Sequence, residues 1–112
     1  MTLTIQNVEE AEKTIKTNNI VLFMKGTKDM PGCGFSAHVI QILNTMNVEY
    51  IDIDVLKDDS FKENMKKFTN WPTFPQLYVK GEFVGGCDII KEMYESGELL
   101  ELFNTKGINV KI

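Results

Sequence analysis

Cys33 and Ser36 lie in the stretch whose residue types and spacing point to thiol chemistry, Pro31-Gly32-Cys33-Gly34-Phe35-Ser36. An apolar run, Ile20 to Met24, and a polar loop, Lys25 to Met30, lead into it. Phe35, Val39, Ile42, Leu43 and Met46 follow at helical spacing. That order predicts Cys33 where a strand hands over to a helix, at or beside the helix N-terminus. Unpaired backbone N–H groups and the positive end of the helix dipole stabilise a thiolate there, and the thiolate is both nucleophile and metal ligand. The redox form of such a site is C-x-x-C beside a βαβ pattern. Here the fourth position is Ser36. A serine cannot resolve a mixed disulfide, so the motif cannot close an internal disulfide of its own. A free cysteine also packs as a small hydrophobe. The Pro-Gly approach, the buried strand before it and the motifs further on favour function.

Gly85-Gly86-Cys87-Asp88 stands before a second helical pattern. Glycines let a ligand approach the backbone, and N–H groups at a helix start bind carboxylate. By itself the string reads rather as a hairpin end plus a helix cap. Cys87 is a second redox cysteine if the fold brings it near Cys33, and otherwise a small core residue. Pro75 reads as a proline at a strand entrance, where its missing N–H is tolerated. Trp71 either lines a groove or packs over the helix before it. His38 reads as polar helix face rather than as a base or ligand. Asp52 and Asp54 alternate along a strand and read as a polar strand face or strand end, not as an acid–base pair. Lys66-Lys67 reads as a solvated helix face.

The elements that must position these groups follow in order. Val8, Ala11 and Ile15 mark one face of a helix from roughly Gln6 to Thr17, ended by Asn18-Asn19. Ile20 to Met24 reads as a strand buried on both faces. The Cys33 helix runs to about Asn47. Glu49 to Val55 alternates as a strand, parallel to the first because a helix-length crossover joins them. Asp58-Asp59-Ser60 starts a third helix, with Phe61, Met65 and Phe68 on its apolar face, to about Thr69. Trp71-Pro72 breaks it. Phe74 to Val79 and Glu82 to Val84 flank Lys80-Gly81 as a tight hairpin. A last helical region runs from Cys87 or Asp88 to Phe103, interrupted at Ser96-Gly97, and the tail beyond it is loosely held. The fold class is α/β: a thioredoxin-like sandwich, a mixed four-stranded sheet flanked by helices.

At 112 residues the chain makes one domain, with a core over about 6–104 and a tail over 105–112. A formal net charge of −4 and a pI near 5.0 argue against a nucleic-acid or anionic-membrane surface. No apolar stretch reaches membrane-spanning length. The first residues carry no signal pattern, so the chain reads as cytoplasmic, or as an organelle matrix protein whose targeting segment has been removed. Two cysteines and one histidine, far apart, make no zinc cluster.

Met24-Lys25-Gly26, Cys33-Gly34-Phe35-Ser36, Trp71-Pro72-Thr73-Phe74-Pro75-Gln76 and Gly85-Gly86-Cys87-Asp88, in that order, resemble a monothiol glutaredoxin of the CGFS type, from about Val8 to Phe103. The resemblance implies a cis bond before Pro75 and a glutathione site. Its members are Lys25, Cys33, Phe35, Lys62, Thr73, Phe74, Pro75, Gly86, Cys87 and Asp88. Asp88 is implied to contact the glutathione amine, and amides near Cys87 one of its carboxylates. Lys25 and Lys62 are the cations available for the other carboxylate. Lys62 departs from the Arg of many relatives and loses the bidentate fork. The resemblance further implies a 2Fe-2S cluster held by Cys33 and glutathione, shared by a homodimer. It implies a carrier role in iron-sulfur transfer and iron homeostasis, with a BolA-like protein and recipient apoproteins as partners. The alternative is a weak glutathione-dependent thiol–disulfide oxidoreductase.

Overall fold

Five apolar residues in a row form β1 (Ile20–Met24), which is buried along its whole length. The computed structural model describes residues 7–111, and β1 runs through the middle of them. Around it lie α1 (Val8–Thr17), α2 (Gly34–Met46), β2 (Ile51–Asp54), α3 (Asp59–Thr69), β3 (Gln76–Val79), β4 (Glu82–Gly85), α4 (Cys87–Ser96) and α5 (Glu98–Thr105). The sheet order is β2-β1-β3-β4. β2 is parallel to β1 and reached through α2, while β3 and β4 are antiparallel. The α/β sandwich read from the chain is the fold observed.

The alternation of β1 divides the interior into two layers. Ile20, Leu22 and Met24 face α2, α4 and α5, packing with Leu43, Ile90 and Phe103. Val21 and Phe23 face α1 and α3, packing with Ala11, Ile15, Phe61 and Met65. α1 is capped by Asn7, whose side chain accepts the Glu10 N–H at 2.8 Å. The expected start at Gln6 lies outside the described residues. Asp58 caps α3 by accepting from Ser60 and Phe61. Asn47 and Asn70 close α2 and α3 in the left-handed conformation, where Asn is tolerated. Lys80 and Gly81, both at positive φ, turn the hairpin.

Several expectations are corrected. Phe68 is 41% exposed, because Phe61 and Met65 alone fill the space between α3 and the sheet. The strand before the hairpin begins at Gln76 rather than Phe74, since Pro75 has no N–H to give the ladder. From Asn104 to Ile108 the segment after Phe103 is held rather than loose. α5 continues to Thr105, Ile108 is buried in the core, and its N–H donates to the Phe103 carbonyl at 2.8 Å.

β2 carries the largest correction. Its register sets Asp52 opposite Leu22 and Asp54 opposite Met24, so both carboxylates face the α2 side. Asp52 is fully buried there. The loop between β1 and α2 reaches over these two residues. Asp52 Oδ2 accepts the Lys28 N–H at 2.8 Å and Asp54 Oδ1 accepts the Gly26 N–H at 3.0 Å. Buried carboxylates require such donors. The alternation in β2 thus serves the loop that leads to Cys33.

Candidate functional site

Cys33 is the N-cap residue of α2, extended in backbone, and its sulfur accepts the Ser36 N–H at 3.5 Å. Ser36 is fully buried, with Oγ 3.4 Å from Cys33 Sγ. The Lys25 N–H donates to that same Oγ at 3.2 Å. With the oxygen already accepting from Lys25, its own proton is directed at the sulfur when Cys33 is ionised. Partial burial opposes ionisation, but the Ser36 hydroxyl, the N–H groups of Ser36 and Phe35, and the Lys25 ammonium outweigh it, and the Cys33 thiol is held below its ordinary range. Cys87 is the opposite case: burial, then Asp88, push its thiol up.

Ser36→Ala removes the hydroxyl donor and leaves the backbone donors in place. The midpoint for Cys33 alkylation by iodoacetamide against pH should therefore move upward. Near pH 7 the rate should fall about threefold or more. An unchanged midpoint would remove Ser36 from the thiolate's support.

Two clefts adjoin beside the thiol, sharing Phe35, Cys87 and Asp88. One, of about 530 Å³, is lined by Lys25, Phe35, Trp71, Thr73 and Phe74 on one side and Gly86, Cys87, Asp88 and Ile89 on the other. The second, of about 410 Å³, takes in Cys33 itself with Phe35, His38, Cys87, Asp88 and Lys91. Phe35, 64% exposed, borders both. A larger hollow of about 660 Å³ between Asn19, Lys28, Asn44 and Tyr50 contains no cysteine and plays no part in the thiol chemistry.

The walls of the first cleft are built from its own motif. The Phe74-Pro75 bond is cis. Gln76 is fully buried, and its amide donates to the Trp71 carbonyl at 3.2 Å and the Thr73 carbonyl at 3.1 Å. Gln76 therefore ties the Trp71–Thr73 segment to β3. Trp71 meets Phe83 edge-on at 5.5 Å and lines the cleft, which decides between its two readings. A Cβ on Gly86 would lie 3.1 Å from Trp71 Nε1 and 3.3 Å from the Pro75 carbonyl oxygen. Gly86 is also the N-cap of α4, with no side-chain cap hydrogen bond, so the first N–H groups of α4 are open to an anion.

The glutaredoxin family profile matches residues 20–84. The Rickettsia typhi protein named probable monothiol glutaredoxin 2 is 60% identical over 106 residues, covering 95% of this chain and 96% of that one. The chain belongs to the monothiol glutaredoxins. Solved members of similar form include a monomeric truncated mutant of Trypanosoma brucei 1-C-Grx1, with a TM-score of 0.87 and 37% identity over 96% of this glutaredoxin and 98% of that chain. Reduced poplar apo GrxS14 aligns with a TM-score of 0.78 and 46% identity, over 88% and 90% of the two chains.

In this glutaredoxin most of the residues expected at the site do come together. Lys25, Phe35, Thr73, Phe74, Gly86, Cys87 and Asp88 line the first cleft and Cys33 the adjoining one. Pro75 is buried behind the wall. Lys62 is apart: it lies half-buried on α3, acts on Glu63, and lines neither cleft. His38 lines the second cleft from a half-exposed position on α2. Ser36 as a donor, Lys91 as a cleft residue and the Asp52–Asp54 anchors were not foreseen. Ser36 had a signal, since a hydroxyl three residues after an N-cap points back at the cap.

Proposed function

We propose that this glutaredoxin binds glutathione in the Lys25–Trp71–Asp88 cleft and, as a homodimer, carries a bridging 2Fe-2S cluster to recipient apoproteins. The role is one in iron-sulfur transfer and iron homeostasis, with a BolA-like protein as partner. The observation that carries the proposal is Cys33 at the N-cap of α2, its sulfur within reach of the Ser36 N–H and hydroxyl, with buried Ser36 where a resolving thiol would stand, beside a cleft with charges suited to a tripeptide. Lys25 takes one glutathione carboxylate. The open N–H groups at the start of α4 take the other, and Asp88 takes the amine. The backbone at Phe74 pairs with the extended peptide as an added strand.

A 2Fe-2S cluster needs four soft ligands, and thiolates serve best. Among the described residues, no group of three or more His, Cys, Asp and Glu is placed to hold a metal ion. The chain has two cysteines, so one chain cannot supply four thiolates. Cys33 and a bound glutathione supply two thiolates, and a second copy doubles them. Two free cysteines suit a reducing compartment, the cytoplasm or an organelle matrix. Among the described residues no helix is long and apolar enough to cross a membrane.

A second reading is favoured by one observation: Cys33 and Cys87 line the same cleft. The Cys33 thiolate would attack the glutathionyl sulfur of a mixed disulfide, forming a Cys33–glutathione disulfide and releasing the other thiolate. A second glutathione thiolate then displaces Cys33 and leaves as oxidised glutathione. Alternatively, Cys87 attacks Cys33 and releases glutathione.

Anaerobic reconstitution with iron, sulfide and glutathione separates the readings. The carrier reading expects a coloured dimer that does not form when glutathione is omitted. A colourless monomer that reduces a glutathione mixed disulfide at useful rates would put the oxidoreductase first.

A further inference from the structure

One carboxylate on β2 joins the two loops that meet beside Cys33. Asp54 Oδ1 accepts the Gly26 N–H at 3.0 Å and the Leu56 N–H at 2.8 Å. Gly26 directly follows Lys25, and the strand that ends at Asp54 continues the ladder through the Val55 N–H to the Met24 carbonyl at 2.9 Å. The loop closes on itself near the thiol: the Gly32 N–H donates to the Lys25 carbonyl at 2.7 Å, and Gly26 bridges Pro31. The Leu56 side chain packs against Gly32, where an added Cβ would meet its Cδ1 at 3.2 Å. Asp52 pins the same loop two residues on, at Lys28. The chain of contacts runs from Asp54 through Gly26 to Lys25, from the Lys25 N–H to Ser36 Oγ, and from Ser36 to the sulfur.

We propose that Asp54 is a positioning residue of the thiol site: by holding Gly26 and Leu56 on one oxygen, it keeps the Lys25 N–H on Ser36 and so directs the Ser36 hydroxyl at Cys33. The inference rests on Cys33 being the reactive thiol of the proposed function. Its effect is opposite in sign to that of the charge itself. An anion near a thiol opposes the thiolate, so deleting Asp54 should speed Cys33 reactions if charge is all that matters. Loss of the clamp should slow them.

The test is alkylation of the full chain by iodoacetamide at fixed neutral pH, followed separately at Cys33 and Cys87 by peptide mass spectrometry. Asp54→Ala should slow Cys33 about threefold or more, as expected when part of the donor set around a thiolate is lost. Asp54→Asn keeps an oxygen that accepts both N–H groups without the charge, and should stay within about twofold of the parent chain. Asp54→Ser stays polar but is too short to bridge both donors, and should behave like Asp54→Ala if the alanine chain does not fold. The inference is overturned if Asp54→Ala and Asp54→Ser match or exceed the parent rate, or if Asp54→Asn is as slow as they are. A parent chain in which Cys33 is no faster than Cys87 would instead strike the functional reading on which the inference stands.

Discussion

Cys33→Ser is expected to remove the reactive thiol and, with it, the cluster binding proposed for this chain, with little change in stability. Serine is among the preferred N-cap residues, and its oxygen can accept the Ser36 N–H that the sulfur accepts now. The side chain is only half-buried, so the exchange of sulfur for oxygen opens no cavity. The unfolding free energy should therefore stay within about 0.5 kcal/mol of the parent, the ordinary range for a tolerated substitution. Serine is not a thiolate ligand and is a far weaker nucleophile near neutral pH, so colour on reconstitution and turnover of a glutathione mixed disulfide should both be lost. Urea unfolding alongside reconstitution checks the two halves. A Cys33→Ser chain that still forms the coloured species would move the cluster away from this sulfur.

Gly26→Ala should be the most damaging single-methyl change near the site. Gly26 has φ +88°, in the region that side chains rarely adopt. A Cβ there would fall 2.5 Å from both the Gly32 nitrogen and the Met30 carbonyl oxygen, and 3.1 Å from the Pro31 carbonyl carbon. These are backbone atoms, so no side-chain rotation relieves the overlap. Conformational strain and overlap together should cost about 3 kcal/mol, the sum of a left-handed penalty and the displacement of packed backbone. The urea midpoint should fall with the slope unchanged. Because Gly26 bridges Pro31 and anchors to Asp54, the remaining folded chain should also show slower Cys33 alkylation. A loss below about 1 kcal/mol would show that the loop can shift freely and is not the rigid support described.

Local pattern was enough to place the thiol. The apolar run to Met24, the polar loop and the helical spacing from Phe35 onward put Cys33 at a helix start, where it stands as N-cap. Lys80-Gly81 marked its hairpin for the same reason, since a tight turn leaves few residue choices. Long-range facts were not legible. Alternation shows that Asp52 and Asp54 share a strand face, but not that a loop more than twenty residues earlier reaches over them and supplies their donors. Lys62 lies on a helix whose other face is read clearly, yet nothing local says how far its ammonium is from the cleft. Phe68 satisfied helical periodicity but stands exposed, because α3 is narrower in its buried face than the pattern allows. Ile108 follows the last helix signals and is held by packing that only the assembled core provides.

Native mass spectrometry of the anaerobically reconstituted protein tests the central claim most directly, because it counts chains, glutathione and iron in one species. Two chains, two glutathione molecules and one 2Fe-2S cluster are expected, with Cys33 of each chain as the protein ligand. A cluster on a single chain, or a dimer carrying the cluster without glutathione, would contradict it.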